Sequence, residues 1–200
     1  MPIKHDTSYH GFLKKAVTSR NVTVVHDHQH VIIFDGADMC GKTNIACELS
    51  SRTRIPYFKN SSERDAFSSD PSYFSVASRF IDTYIVDFLL TTKTSVIFDR
   101  NYPSEYVYPI VFKRRRDLDV LRKVDERHAE LGTFIIVPYR TSFHGIVDDT
   151  HANITSDRLR LIDDLYIEFC EWSQCRCLRL NVDDNNIDRE INDIKMFTGI

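Results

Sequence analysis

The run Gly36-Ala37-Asp38-Met39-Cys40-Gly41-Lys42-Thr43 fits the phosphate-binding pattern G-x-x-x-x-G-K-[ST]. Each residue type has a chemical reason to stand where it does. Gly36 and Gly41 let the backbone curl with its N–H groups turned inward, which a Cβ would hinder. Those amides, with the positive end of a following helix, make an anion site. Lys42 is placed to reach the β- and γ-phosphates of a nucleotide, and the Thr43 hydroxyl to ligate Mg²⁺. A second set of candidates lies at Asp99 and Arg100. An apolar strand ending in Asp supplies a carboxylate near Mg²⁺ in phosphate-loop enzymes, so Asp99 joins Thr43 as a metal candidate. Arg100 is a cation suited to a phosphate on a second substrate.

These residues need elements to hold them. Val31-Ile32-Ile33-Phe34 reads as a buried parallel strand running into the loop, and Ile45 and Leu49 mark the onset of a helix after it. Further strands are expected at Ile55–Lys59, Thr94–Arg100, Thr133–Tyr139 and Arg176–Val182. Amphipathic helices are expected from Tyr73 to Leu90, with a mostly buried apolar face that includes Phe88, then over a Val120–Leu131 face ended by Gly132, from Leu159 to Trp172, and from Ile187 onward. Pro103 and Pro109 are expected to break the Tyr-rich stretch before the second of these helices. The alternation of strand and helix predicts an α/β fold: a three-layer α/β/α sandwich on a five-stranded parallel sheet with right-handed crossovers. Residues 31–200 form that domain. Residues 1–30 are an N-terminal extension, with a short helix near 8–19 and an edge strand at 22–25. The polar stretch 141–157 reads as a lid.

Composition narrows the function classes. The chain is 42% hydrophobic and 28% charged, with a formal net charge of −3, so bulk charge does not point to nucleic acid. Lys113-Arg114-Arg115-Arg116 is a local basic run open to phosphate, nucleotide or polymer. No apolar run approaches the ~18 residues of a membrane span. Five cysteines, with Cys40 inside the phosphate loop, suit a reducing cytosol, or a host cytoplasm if the chain is phage-encoded. His26-Asp27-His28-Gln29-His30 lacks a matched second cluster and reads as a solvated turn rather than a metal site. A switch GTPase would need an Asn-Lys-x-Asp guanine motif, and none is present; an ATPase motor would need an acid where Arg100 stands.

Three motifs together resemble one family. Phe34-Asp35-Gly36-Ala37-Asp38-Met39-Cys40-Gly41-Lys42-Thr43 is similar to the F-[ED]-G-x-D-x-x-G-K-[ST] loop of thymidylate kinases. Ala77-Ser78-Arg79-Phe80 resembles that family's A-[NSD]-R-x helix motif, and Asp99-Arg100-Asn101-Tyr102-Pro103-Ser104 its D-R-Y-x-x-S. The resemblance implies a phosphoryl transfer from ATP, with Mg²⁺, to a dTMP-like deoxynucleoside monophosphate. The loop residues Gly36 to Thr43 would bind the donor. Asp38 would hold the acceptor's sugar hydroxyl or an acceptor-side arginine. Arg79 and Arg100 would bind the acceptor phosphate, and Asp99 would sit near the metal or that phosphate. Phe58, Lys59, Phe74 and Ser104 would line the acceptor site. Arg140 or Arg158 would be the lid cation acting with Lys42 on the moving phosphoryl group. A homodimer through the long helices is also implied. Asn101 replaces the family's Tyr, and Ser75 stands where a stacking Phe is expected, with Phe74 beside it. These departures would suit a phage-type relative that phosphorylates a hydroxymethyl-pyrimidine in DNA. A phosphate-loop binding module without transfer is the alternative from another class.

Overall fold

Val31–Phe34, β1, is buried along its whole length, as a strand flanked by neighbours on both edges and covered on both faces must be. The computed structural model of the chain describes residues 28–59, 83–143 and 155–200. After β1 come α1 (Lys42–Thr53), β2 (Tyr57–Lys59), a helix over residues 83–92 (α2), β3 (Val96–Asp99) and α3 (Pro103–Val111). The chain continues through α4 (Leu118–Glu130), β4 (Phe134–Tyr139), α5 (Ser156–Trp172), β5 (Arg176–Asn181) and α6 (Ile187–Thr198). All five strands are parallel, in the order β2-β3-β1-β4-β5. This is the α/β architecture expected. The chain leaves β1 toward one edge and later crosses to the other, so the order of strand addition switches sides at β1. Ligands of such sheets bind outside the strands' carboxyl ends at that point. Phe34 stands level with Asp99 of β3 there.

Helices cover the sheet in two groups: α1 packs on α6, and α3 packs on α4 and α5. None of the described helices is long and apolar enough to cross a membrane.

Several expectations need correction. Pro109 does not break α3 but lies inside it; Pro103 occupies the helix's first turn, where its missing N–H costs nothing. The face of α2 is narrower than expected. Val86 and Leu89 are buried while Phe88 is 59% exposed, because a step of one residue turns the helix by about 100°. Residues 155–157 belong to the cap and first turn of α5, with Thr155 as N-cap, so only 141–154 remain of the lid. His28 is exposed as expected, but Gln29 and His30 are docked: the Gln29 amide donates to the carbonyls of Leu89 and Thr94, and the His30 N–H donates to Ser95 Oγ. No cluster of His, Cys, Asp or Glu that could hold a metal occurs among the described residues. The helix near 8–19, the strand at 22–25, Phe74, Arg79 and residues 144–154 of the lid lie outside the described residues.

His128 gives the fold a pH dependence. It is fully buried on α4, stacked on Tyr102 with ring centroids 4.8 Å apart, and its Nδ1 lies 3.1 Å from Thr133 Oγ1. Burial lowers its pKa from 6.5 to about 3. A base held neutral in this way stabilises the fold fully above its unfolded pKa, and the contribution falls away as pH drops from 6.5 toward 3. At about 1.4 kcal/mol per unit, the loss by pH 3 is on the order of 4–5 kcal/mol. His128→Gln is expected to flatten the decline in denaturant midpoint between pH 7 and pH 4. An equal decline in wild type and variant would contradict this.

Candidate phosphate-binding and acceptor site

The phosphate loop joins the carboxyl end of β1 to the N-terminus of α1. Gly41, the N-cap of α1, has φ 68° and no side chain to cap the helix. The first-turn amides are therefore left to an anion. Gly36 has φ 150°, and a Cβ there would stand 3.0 Å from the Pro138 carbonyl oxygen, so β4 closes one side of the loop against any larger residue. Lys42 is buried, and its Nζ donates to the Ala37 carbonyl across the loop at 2.5 Å. Burial, and then the nearby Arg100 guanidinium, lower its pKa to about 8. A bound phosphate would raise it again and favour the charged form further. Cys40 is buried beneath the loop, and burial raises its thiol to about 11, so it is a packing residue and not a nucleophile.

Thr43 and Asp99 meet at the mouth of the loop. Thr43 Oγ1 donates to Asp99 Oδ2 at 2.6 Å, and the Tyr57 hydroxyl donates to the same oxygen at 2.9 Å. A hydroxyl and a carboxylate together beside a phosphate site form an oxygen donor set that suits Mg²⁺, which takes one or two protein oxygens and keeps water and phosphate for the rest. Phe58 packs edge-on against Phe98, with ring centroids 5.8 Å apart, and Lys59 ends β2 level with Asp99.

Arg100 faces the loop. It holds a left-handed backbone conformation, φ 66°, immediately after β3. Such a conformation is costly for a residue with a Cβ and is kept where the surroundings fix it. Its guanidinium pairs with Asp35 at 3.2 Å and with Asp38, lies 5.1 Å from the centre of the Tyr108 ring, and reaches the Gly36 carbonyl at 3.4 Å. Tyr108 donates in turn to Asp38 at 3.3 Å. Burial would lower the pKa of Arg100, but the surrounding acidic and phenolic groups outweigh it and raise that pKa well above its usual value.

Asp35 anchors this arrangement. It is completely buried and accepts from Tyr166 OH at 2.7 Å, from Ser104 Oγ at 2.9 Å, and from the N–H groups of Ser104, Asn101 and Gly36 at 3.0, 3.2 and 3.1 Å. One carboxylate thus ties the loop, the turn after β3 and helix α5 together. Sequence reasoning missed Asp35, Tyr57, Tyr108 and Tyr166 as site residues. Only Asp35 had a signal, its place in the loop motif.

Of the two lid candidates, Arg140 reaches the loop. Its Nε donates to the Met39 carbonyl at 3.2 Å, and its Nη2 donates to Asn185. Arg158 instead lies over Phe112, with Cζ 4.6 Å from the ring centre, and makes no hydrogen bond or ion pair to the loop among the described residues. The tip of α1, the ends of β1, β3 and β4, and the start of α3 therefore meet around the phosphate loop. Lys42, Thr43, Asp99, Arg100 and Arg140 are gathered there.

No protein-family model matches the sequence, and no curated protein matches it by sequence. Solved structures do match in fold. The Bacillus subtilis YorR protein, solved in complex with phosphorylated GDP, superposes with a TM-score of 0.63 at 20% identity, over 84% of this chain and 95% of its own. Thymidylate kinase from Ehrlichia chaffeensis gives 0.55 at 16% identity, over 84% and 98%. Thymidylate kinase from Candida albicans gives 0.56 at 12% identity, over 84% and 90%. The five-stranded parallel sheet, the phosphate loop and these superpositions converge: the chain has a P-loop kinase fold of the thymidylate kinase type.

Proposed function

We propose that the chain is a kinase that moves the γ-phosphoryl group of a nucleoside triphosphate onto the phosphate of a deoxynucleoside monophosphate, dTMP-like in kind. The donor expected from the sequence is ATP. The observation that carries this reading is Arg100. Its guanidinium is held by Asp35 and Asp38 against the phosphate loop, in the turn that follows Asp99, where it would meet an acceptor phosphate. Phosphoryl transfer asks the protein for alignment and positive charge rather than covalent chemistry. The loop amides and Lys42 bind the donor's phosphates. Arg100 grips and orients the acceptor, and Arg140 adds charge where it develops on the moving group. Thr43 and Asp99 would hold Mg²⁺, which would supply positive charge at the donor's phosphates.

The test offers ATP and GTP separately with each common nucleoside and deoxynucleoside monophosphate, and follows diphosphate formation by chromatography. Turnover is expected with a pyrimidine deoxynucleotide and is expected to vanish in Lys42→Ala. No turnover with any monophosphate would sink the proposal. One feature favours DNA as an alternative acceptor. Phe112, 50% exposed, is stacked at 5.9 Å from Tyr108 beneath Arg100 and flanked by the guanidinium groups of Arg114 and Arg158. Exposed rings between cations are how sequence-tolerant single-strand binders hold bases. Transfer of labelled phosphate to hydroxymethyl-pyrimidine DNA, without transfer to free nucleotides, would select this reading.

A further inference from the structure

Beside the phosphate loop lies a cleft of about 420 Å³, with Cys40, Gly41, Asn44, Arg140, Asn185 and Glu190 in its lining. It shares Cys40 and Gly41 with the loop and so adjoins the phosphate site. Two carboxylates line this cleft, and their states differ. Glu48 accepts from Arg52 Nε at 2.7 Å, and Arg52 continues to Asp188 at 2.6 Å. Glu190 is only 3% exposed, and its Oε1 accepts no hydrogen bond among the described residues. The Arg189 guanidinium stands 3.9 Å away but is committed to Asp184, to Asp193 and to the Asn181 carbonyl. A buried carboxylate oxygen left without a hydrogen bond is costly, and a ligand that donates to this carboxylate offsets that cost.

We infer that this cleft takes the base of the donor triphosphate and that Glu190 selects guanine over adenine. The inference rests on the kinase reading and replaces the adenine expected from the sequence. A carboxylate can only accept. Guanine presents N1–H and its 2-amino group side by side, two donors on one edge. Adenine sets a single amino group beside N1, whose lone pair would face the carboxylate. The contact at the base edge therefore discriminates between the two bases.

The test titrates GDP and ADP separately into the full chain with Mg²⁺, for wild type, Glu190→Gln and Glu190→Ala, and measures transfer from GTP and ATP in parallel. GDP is expected to bind about tenfold or more tighter than ADP, the scale on which a single base-edge contact discriminates. Glu190→Gln should erase the preference, because a carboxamide offers one acceptor and one donor and fits adenine's edge. Glu190→Ala should weaken GDP without improving ADP, and it serves as the test if the glutamine variant misfolds. Equal binding of ADP and GDP by wild type, or an unchanged ratio in the variants, overturns the inference. Transfer from ATP as fast as from GTP also overturns it while leaving the kinase reading intact. If neither diphosphate binds, the kinase reading falls and the inference falls with it.

Discussion

Arg100→Ala is expected to lower kcat/KM for the acceptor by on the order of 10³-fold, the scale on which single phosphate-directed arginines act in phosphoryl transfer. The guanidinium is held before the acceptor arrives: two carboxylates fix its fork and the Tyr108 ring supports its face. A cation fixed in advance loses little freedom when the phosphate binds, so more of its attraction remains for orienting the reacting atoms. Arg100→Lys should recover only part of the loss. A lysine keeps the charge but loses the two-pronged geometry that can face Asp35 and Asp38 while gripping a phosphate. Initial rates at varied acceptor, with thermal melts of both variants, separate lost chemistry from lost fold. An alanine variant that melts near wild type and turns over within tenfold of it would remove Arg100 from the mechanism, and with it the observation on which the kinase reading rests.

What the sequence disclosed, and what it hid, follows from the range of each interaction. The phosphate loop was legible because its geometry is local: two glycines, a lysine and a threonine at fixed spacing between an apolar strand and a helix. The sheet was legible because runs such as Val31–Phe34 and Val96–Asp99 lie between neighbours on both edges and carry no polar face. The pairing of Asp38 with an acceptor-side arginine was legible through the loop motif, but the tyrosine partners of Asp35 and Asp99 were not. Tyr166 lies 131 residues from Asp35 in sequence yet donates to it, and Tyr57 reaches Asp99 across 42 residues. A tyrosine at the end of a strand or within a helix looks the same whether its hydroxyl meets water or a buried carboxylate. The choice between Arg140 and Arg158 was hidden for a related reason. Both flank a polar segment, but Arg140 directly follows β4, whose end abuts the loop, whereas Arg158 sits in the first turn of a helix beside Phe112.

Asp35→Ala is expected to be the most destabilising single change in the described site, by about 3–5 kcal/mol, the usual cost of removing one partner from a buried charge network. The expectation comes from counting donors. Tyr166 OH, Ser104 Oγ, three backbone N–H groups and the Arg100 guanidinium all converge on this carboxylate, which has no solvent contact. Alanine would strand these donors where little water can enter. In a domain of this size each kcal/mol moves Tm by about 2–4 °C, so a fall of roughly 6–20 °C should be seen by calorimetry. Tyr166→Phe removes one donor and leaves the carboxylate satisfied by the others, so it should cost only about 1 kcal/mol. Asp35→Asn is the more telling variant. It fills the same space, but its amide group turns a donor toward other donors and carries no charge to face Arg100. It should therefore lose acceptor turnover beyond what its melting temperature explains. The same bonds that hold the turn after β3 against the loop also hold the guanidinium at its place over the cleft. If Asp35→Asn melts lower but turns over normally, the carboxylate is only structural, and Arg100 must be positioned by Asp38 and Tyr108 alone.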